Sequence, residues 1–401
     1  MNYKLMNSFV KNTFIPNLLN LRWFLNYIPL ITYVILAVFI SLFIVHRTTI
    51  PDGYNLYWFG PFTKKLRITL FILGLISCYS ESKMKLIICF CYYILSYVTY
   101  KHGHSWVLFD LFFVPLFLSK KLNLSIVINI FFYLILIGTI VTITLDLFDF
   151  LPKFPSGFFK EHQIRYNLGF SHPNSLGLMF MLISMLLVLK VKKMNFWCVL
   201  VLAILCSLCV ILPKSYSSAA IIFFLTLFSV CKIIFQNFSF DVSRRIIYFF
   251  AFGVLACVII GTYVAAFTDV LKDLLTNLPQ SLSCRFDFGA KAFYQFGFSV
   301  FGQEYNPVGT GAILKGADPS TYFVVDCLYF FLPVFVGIVP SLVYLFLFCR
   351  GVWFSVNRGN YALLFILIMI SVYSVSEYLV IFPLFMFAYF DYNAKISVSQ
   401  N

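Results

Sequence analysis

Arg165-Tyr166-Asn167-Leu168-Gly169-Phe170-Ser171-His172-Pro173-Asn174-Ser175-Leu176-Gly177 is a polar stretch that runs without a break into the apolar segment 174–189. Its reading decides the fold. A proline just inside a helix start costs nothing, because the first turn has no partner for its N–H. Pro173 therefore suits the first turn of a helix read near 174–189. Such a start presents unpaired backbone N–H groups and the positive end of the helix dipole. With Arg165 beside it, this suits an anion, above all a phosphate.

Working outward, the oily character of 174–189 recurs along the whole chain. Hydrophobic residues make up 61% of the 401 and charged ones 11%, which leaves too little polar surface for a soluble globule. Apolar windows fall near 27–45, 68–80, 86–100, 105–119, 124–145, 174–189, 195–212, 217–236, 246–267, 322–348, 361–378 and 379–391. The chain reads as a single all-α polytopic membrane domain, 1–401, of about 10–12 transmembrane helices. Lys4, Lys11 and Arg22 precede the first span with no small-residue cleavage site, so a retained N-terminus is expected. The formal charge of +14 is read as topology and attraction to anionic membrane lipids, not as a nucleic-acid surface. The eleven cysteines give neither a disulfide framework nor a zinc site; Cys206 and Cys209 form a lone pair inside a span.

With the N-terminus inside, Lys120-Lys121, Lys190 to Lys193, Arg244-Arg245 and Arg350/Arg358 all fall in cytoplasmic turns. Two long polar stretches, 146–173 and 268–321, then lie on the extracytoplasmic side of the membrane. A long loop without structure of its own is unusual unless it is a lid or a binding surface. The second repeats the pattern of the first: Arg285-Phe286-Asp287-Phe288-Gly289 parallels Arg165-Tyr166-Asn167-Leu168-Gly169. Two arginines entering one cleft are expected, each near a glycine that lets backbone approach a ligand.

At this point the residues resemble a known family. Gly169-Phe170-Ser171-His172-Pro173-Asn174-Ser175-Leu176-Gly177 is similar to the GF-x-HPN-x-LG signature of Wzy-type O-antigen and capsular polysaccharide polymerases. Arg285 with Gly289, Lys291 and Gly297-Phe298-Ser299-Val300-Phe301-Gly302 resembles the family's second arginine loop. Val325-Asp326-Cys327-Leu328-Tyr329 followed by Gly337 resembles a later span, and Glu377 stands where many members carry an intramembrane acid. The resemblance covers roughly residues 160–390 by motif order. Where members often carry a Ser-Arg-Thr-like element, this chain reads Pro213-Lys214-Ser215-Tyr216-Ser217-Ser218, with Lys214 the only cation.

The resemblance implies a glycosyltransferase that needs no metal or other cofactor. It would move a growing glycan from undecaprenyl pyrophosphate to a hydroxyl of the next lipid-linked oligosaccharide unit, building lipopolysaccharide O-antigen or capsule in the cell envelope. A chain-length regulator and a flippase are the implied partners. Arg165 and Arg285 would grip the pyrophosphate and stabilise its developing charge. His172 would orient the acceptor hydroxyl or the phosphate, or act as base; its bland role is a helix cap. Asn174 is a sugar contact or an ordinary cap. Asp326 and Glu377, at or within spans, are candidate bases or arginine partners. Gly169, Gly289, Lys291, Tyr329 and Lys214 are the remaining substrate-binding candidates, the two lysines alternatively being surface charge. No metal-ligand spacing is visible. Two rivals stand beside the polymerase: an O-antigen ligase acting on lipid A-core, and a flippase for the same lipid-linked unit.

Overall fold

The computed structural model describes residues 15–54, 56, 58–79, 82–103, 122–152, 158–160, 163–191, 193–235, 243–268, 280–309, 318, 321–377 and 387. Within them the chain is built of helices: α1 Ile15–His46, α2 Phe59–Tyr79, α3 Lys83–Gly103, α4 Leu124–Leu147, α5 Pro173–Lys190, α6 Phe196–Ile211, α7 Tyr216–Ile234, α8 Arg244–Phe267, α9 Gln280–Phe296, α10 Ile338–Arg358 and α11 Tyr361–Tyr373. Among the described residues, six helices are long and apolar enough to cross a bilayer: Tyr27–His46 of α1, with α4, α5, α7, α8 and α10. The fold is an all-α polytopic membrane protein. The expected spans 105–119 and 379–391 lie outside the described residues, apart from Phe387.

At the centre stands α5. Most of its side chains are buried, and it packs against α4, α6, α7 and α11. A helix that is apolar on every face has to be enclosed on every face. Close approach to α7 depends on Gly177, where an added Cβ would meet the Ser215 side chain at 2.5 Å. Small residues let helices pack this tightly where no water drives them together.

The apolar window 322–348 is not one span. Residues 322–327 are not helical, Phe323 pairing with Val308 as an isolated bridge; a short helix covers Leu328–Phe331, and a π-turn follows over Leu332–Val336. Gly337 then turns the chain at φ 110°, and α10 begins at Ile338. Hydropathy cannot see this break, because both pieces are apolar. The turn is locked by Ile338 N–H donating to Ser299 O at 2.8 Å and by Gly302 lying against Gly337.

The second polar stretch is also more ordered than a loop. Arg285, Gly289 and Lys291 ride on α9, an amphipathic helix packed against α8 and the short helix at 328–331. The first stretch carries a small antiparallel hairpin, β1 Phe158–Lys160 with β2 Gln163–Arg165. Arg165, the Pro213 turn, α9 and the end of α11 gather at one end of the bundle. The basic residues Lys190, Lys193, Arg244, Arg245 and Arg358 lie at the other.

Candidate functional site: a buried arginine–carboxylate centre

The helix start that opened the sequence argument forms as expected but not as an anion cradle. His172 is the N-cap residue, in extended backbone, and its Nδ1 accepts the Asn174 N–H at 3.0 Å. Ser175 N–H donates to His172 O. Pro173 has no N–H at all, so the first turn of α5 has its leading donors spent. The donors concentrated at this centre belong to side chains instead.

Those side chains form a continuous chain of contacts. Arg165 fixes its Nε on Pro213 O at 2.8 Å and its Nη2 on Asn174 Oδ1 at 2.6 Å. The other end of the same amide donates, Asn174 Nδ2 to Glu377 Oε1, at 2.7 Å. Arg285 Nη2 reaches that same Oε1 from α9 at 3.1 Å, and its Nε lies 3.9 Å from Asp326 Oδ2. The two arginines expected to share a cleft thus meet through one amide and one carboxylate. Each guanidinium offers five N–H donors, so these bonds leave several on both arginines for a further acceptor.

Two of the acids were expected at or within spans, and the structure puts both just outside a helix end. Asp326 sits in the non-helical segment before the short helix, and Glu377 lies beyond the last turn of α11. They are neighbours because Leu328 N–H donates to Ser374 O at 2.9 Å, docking one segment onto the other. The Glu377 side chain is 4% exposed and that of Asp326 is 29%. Burial pushes the Glu377 carboxyl up to about 7, and Asp326 adds to the rise; Arg285, Arg47 and the Asn174 bond oppose it. Burial likewise raises Asp326, against the pull of Arg285.

His172 is held neutral. Burial first, and then the Arg165 charge, pull it down to about 4. With Nδ1 accepting a bond, the ring proton is on Nε2. In that tautomer Nδ1 is spent on the helix cap and Nε2 is the donor side of the ring.

The remaining candidates are placed less favourably. An added Cβ on Gly289 would meet the Phe330 ring at 2.3 Å, and one on Gly169 (φ 80°) would meet Leu151 at 2.6 Å. Both glycines serve helix packing or a turn, and the space beside them holds protein where a ligand was expected. Tyr329 spends its hydroxyl on Ser371 O at 2.8 Å. Lys291 is exposed, its Nζ 5.7 Å from the Phe323 ring centroid. Lys214, half-buried, takes the left-handed conformation at φ 47° in the turn whose Pro213 carbonyl holds Arg165. A non-glycine residue there is strained. The residue that sequence reasoning missed is Arg47, whose charge favours the ionised form of Glu377. Directly after the first span it looks like any interfacial anchor, and nothing in its local sequence marks it.

No protein-family model matches this chain, and neither a curated protein nor a solved structure is similar enough to count as a match.

Proposed function

We propose that this protein is a membrane glycosyltransferase that polymerises lipid-pyrophosphate-linked oligosaccharide units. The observation that carries the reading is the convergence of Arg165 and Arg285, from two separate polar stretches, on Asn174 and Glu377. An anion bound there would be met by guanidinium groups from two sides, which suits the forked recognition of phosphate oxygens. The order of the quoted motifs along the chain supplies the substrate class.

In this reading the glycan's anomeric carbon–oxygen bond to the pyrophosphate breaks as a hydroxyl of the next unit attacks that carbon. Negative charge develops on the departing undecaprenyl pyrophosphate, where Arg165 and Arg285 stabilise it, and Nε2–H of His172 donates to the same oxygens. The hydroxyl proton passes to Asp326, the more accessible of the two carboxylates. Glu377, nearly sealed from solvent, holds Asn174 and Arg285 in register. The site end of the bundle faces away from the cytoplasm, and the membrane is the bacterial inner membrane.

Deletion of the gene, with the surface polysaccharide resolved on a gel, tests this. A polymerase mutant retains a single repeat unit on its carrier or core. Long chains accumulating on lipid would identify a ligase instead, and loss of all lipid-linked units from the outer leaflet a flippase.

A further inference from the structure

We propose that Ser218 and Tyr373 are positioning residues of this site, their hydroxyls setting the spacing between Arg165 and Glu377 that receives a phosphate of the lipid-linked pyrophosphate. The inference rests on the polymerase reading for its ligand and adds two residues to it.

One turn further along α5 from Asn174 lies a second set of polar contacts. Ser215 Oγ donates to Ser218 Oγ at 3.1 Å, and Ser218 Oγ shares a 3.1 Å hydrogen bond with the Tyr373 hydroxyl across 155 residues of chain. All three residues are buried. Each end of this hydroxyl chain is tied through the backbone to one member of the charged centre. At the α7 end, the turn that leads into Ser215 holds the first arginine segment twice: Pro213 O accepts Arg165 Nε at 2.8 Å, and Leu212 O accepts Tyr166 N–H at 3.0 Å. At the α11 end, Tyr373 O gathers the turn that carries the acid. It accepts from Ser376 N–H at 2.9 Å, Ser376 Oγ at 3.0 Å and Glu377 N–H at 3.1 Å. Between the ends stands α5, where Asn174 serves the charged centre and Gly177, three residues on and so on the same face, admits the serines. A Cβ on Gly177 would meet Ser215 Oγ at 2.6 Å and Ser218 Oγ at 3.3 Å.

Local chemistry does not ask for this arrangement. Ser215 is the N-cap residue of α7, where a serine ordinarily accepts a backbone N–H, yet its side chain makes no cap hydrogen bond. Its hydroxyl reaches Ser218 instead. Hydrogen bonds between helices add little to stability in a membrane bundle, because separated helices find other partners. What a satisfied buried network does supply is one fixed geometry. That geometry matters here because the two ends of the Asn174 amide meet Arg165 and Glu377. A slip of the 212–215 turn against α11 would pull the amide off one of them and turn the Arg165 fork away from its ligand.

The test is a double-mutant cycle read by titration of inorganic pyrophosphate into the purified full-length protein in detergent. Its members are wild type, Tyr373→Phe, Arg165→Lys and Tyr373→Phe/Arg165→Lys. Tyr373→Phe removes one oxygen and keeps the ring, so the thermal unfolding midpoint should hold while pyrophosphate affinity falls about threefold to thirtyfold. Arg165→Lys keeps the charge but lacks the fork that reaches Pro213 O and Asn174 Oδ1 at once, so no aligned guanidinium is left to position. In that background Tyr373→Phe should change affinity by less than about twofold. An equal loss in both backgrounds, with or without a lower midpoint, overturns the proposal, because a generally loosened bundle weakens binding whatever stands at 165. So does a Tyr373→Phe variant that binds pyrophosphate as wild type does. If Tyr373→Phe does not fold, Ser218→Ala breaks the same hydroxyl chain and takes its place in the cycle, with the same two deciding outcomes. Failure of the wild type itself to bind pyrophosphate overturns the polymerase reading and this proposal with it.

Discussion

Replacing Arg285 by alanine should expose how the centre is held together. The substitution removes the 3.1 Å pair to Glu377, whose side chain is 4% exposed. Stranding a buried carboxylate in this way costs about 3–5 kcal/mol. Glu377 can escape part of that cost by taking up a proton, so a loss of about 3 kcal/mol is expected near neutral pH and less under acid. The direction follows from proton binding. Glu377 titrates at about 7 in the folded chain against a reference of 4.5, so between those values the folded state holds more protons than the unfolded one. Stability therefore falls as pH rises through this window. Without Arg285 the folded pKa climbs further, and the fall extends to higher pH. Adding Glu377→Gln removes the stranded charge but keeps an oxygen for Asn174, so Arg285→Ala/Glu377→Gln should recover most of the stability and lose the slope. It should not recover the proposed polymerisation, since the guanidinium is still missing. Unfolding of the detergent-solubilised protein at about pH 5 and about pH 8 reads the first effect; polysaccharide ladders at matched membrane levels read the second. A double variant no more stable than Arg285→Ala would refute the stranded-carboxylate argument, and long chains restored in it would remove Arg285 from the substrate.

Other expectations follow from single contacts. Gly289→Ala places a Cβ 2.3 Å from the Phe330 ring and should destabilise the chain by about 1–3 kcal/mol through overpacking; wild-type thermal stability would show that α9 can shift freely. His172→Ala should lose about 1 kcal/mol of stability with the cap, whereas His172→Asn retains the cap and loses only the Nε2 donor, so a stability difference between the two, by denaturant unfolding, separates the roles. Cysteines placed at Ser156 and Asp318 should react with an impermeant thiol reagent in intact spheroplasts; protection of both would reverse the sidedness proposed for the site.

Much of this protein was legible from its sequence, for a physical reason. Crossing a bilayer demands long apolar runs, so composition and window length suffice for the fold class and for most helix positions. The helix start at Pro173 is equally local, since the capping residue and the proline lie side by side. The pairing of Arg165 with Arg285 was visible only as a repeated pattern. Tertiary structure alone decided what joins them: Asn174 and Glu377 meet across 203 residues of chain because α5 and the end of α11 pack together. It also decided that 322–348 breaks at Gly337 and that Gly169 and Gly289 face protein. Hydropathy is a property of each segment taken singly, whereas these features depend on which helix ends come to share one low-dielectric space, where every buried charge has to find a partner.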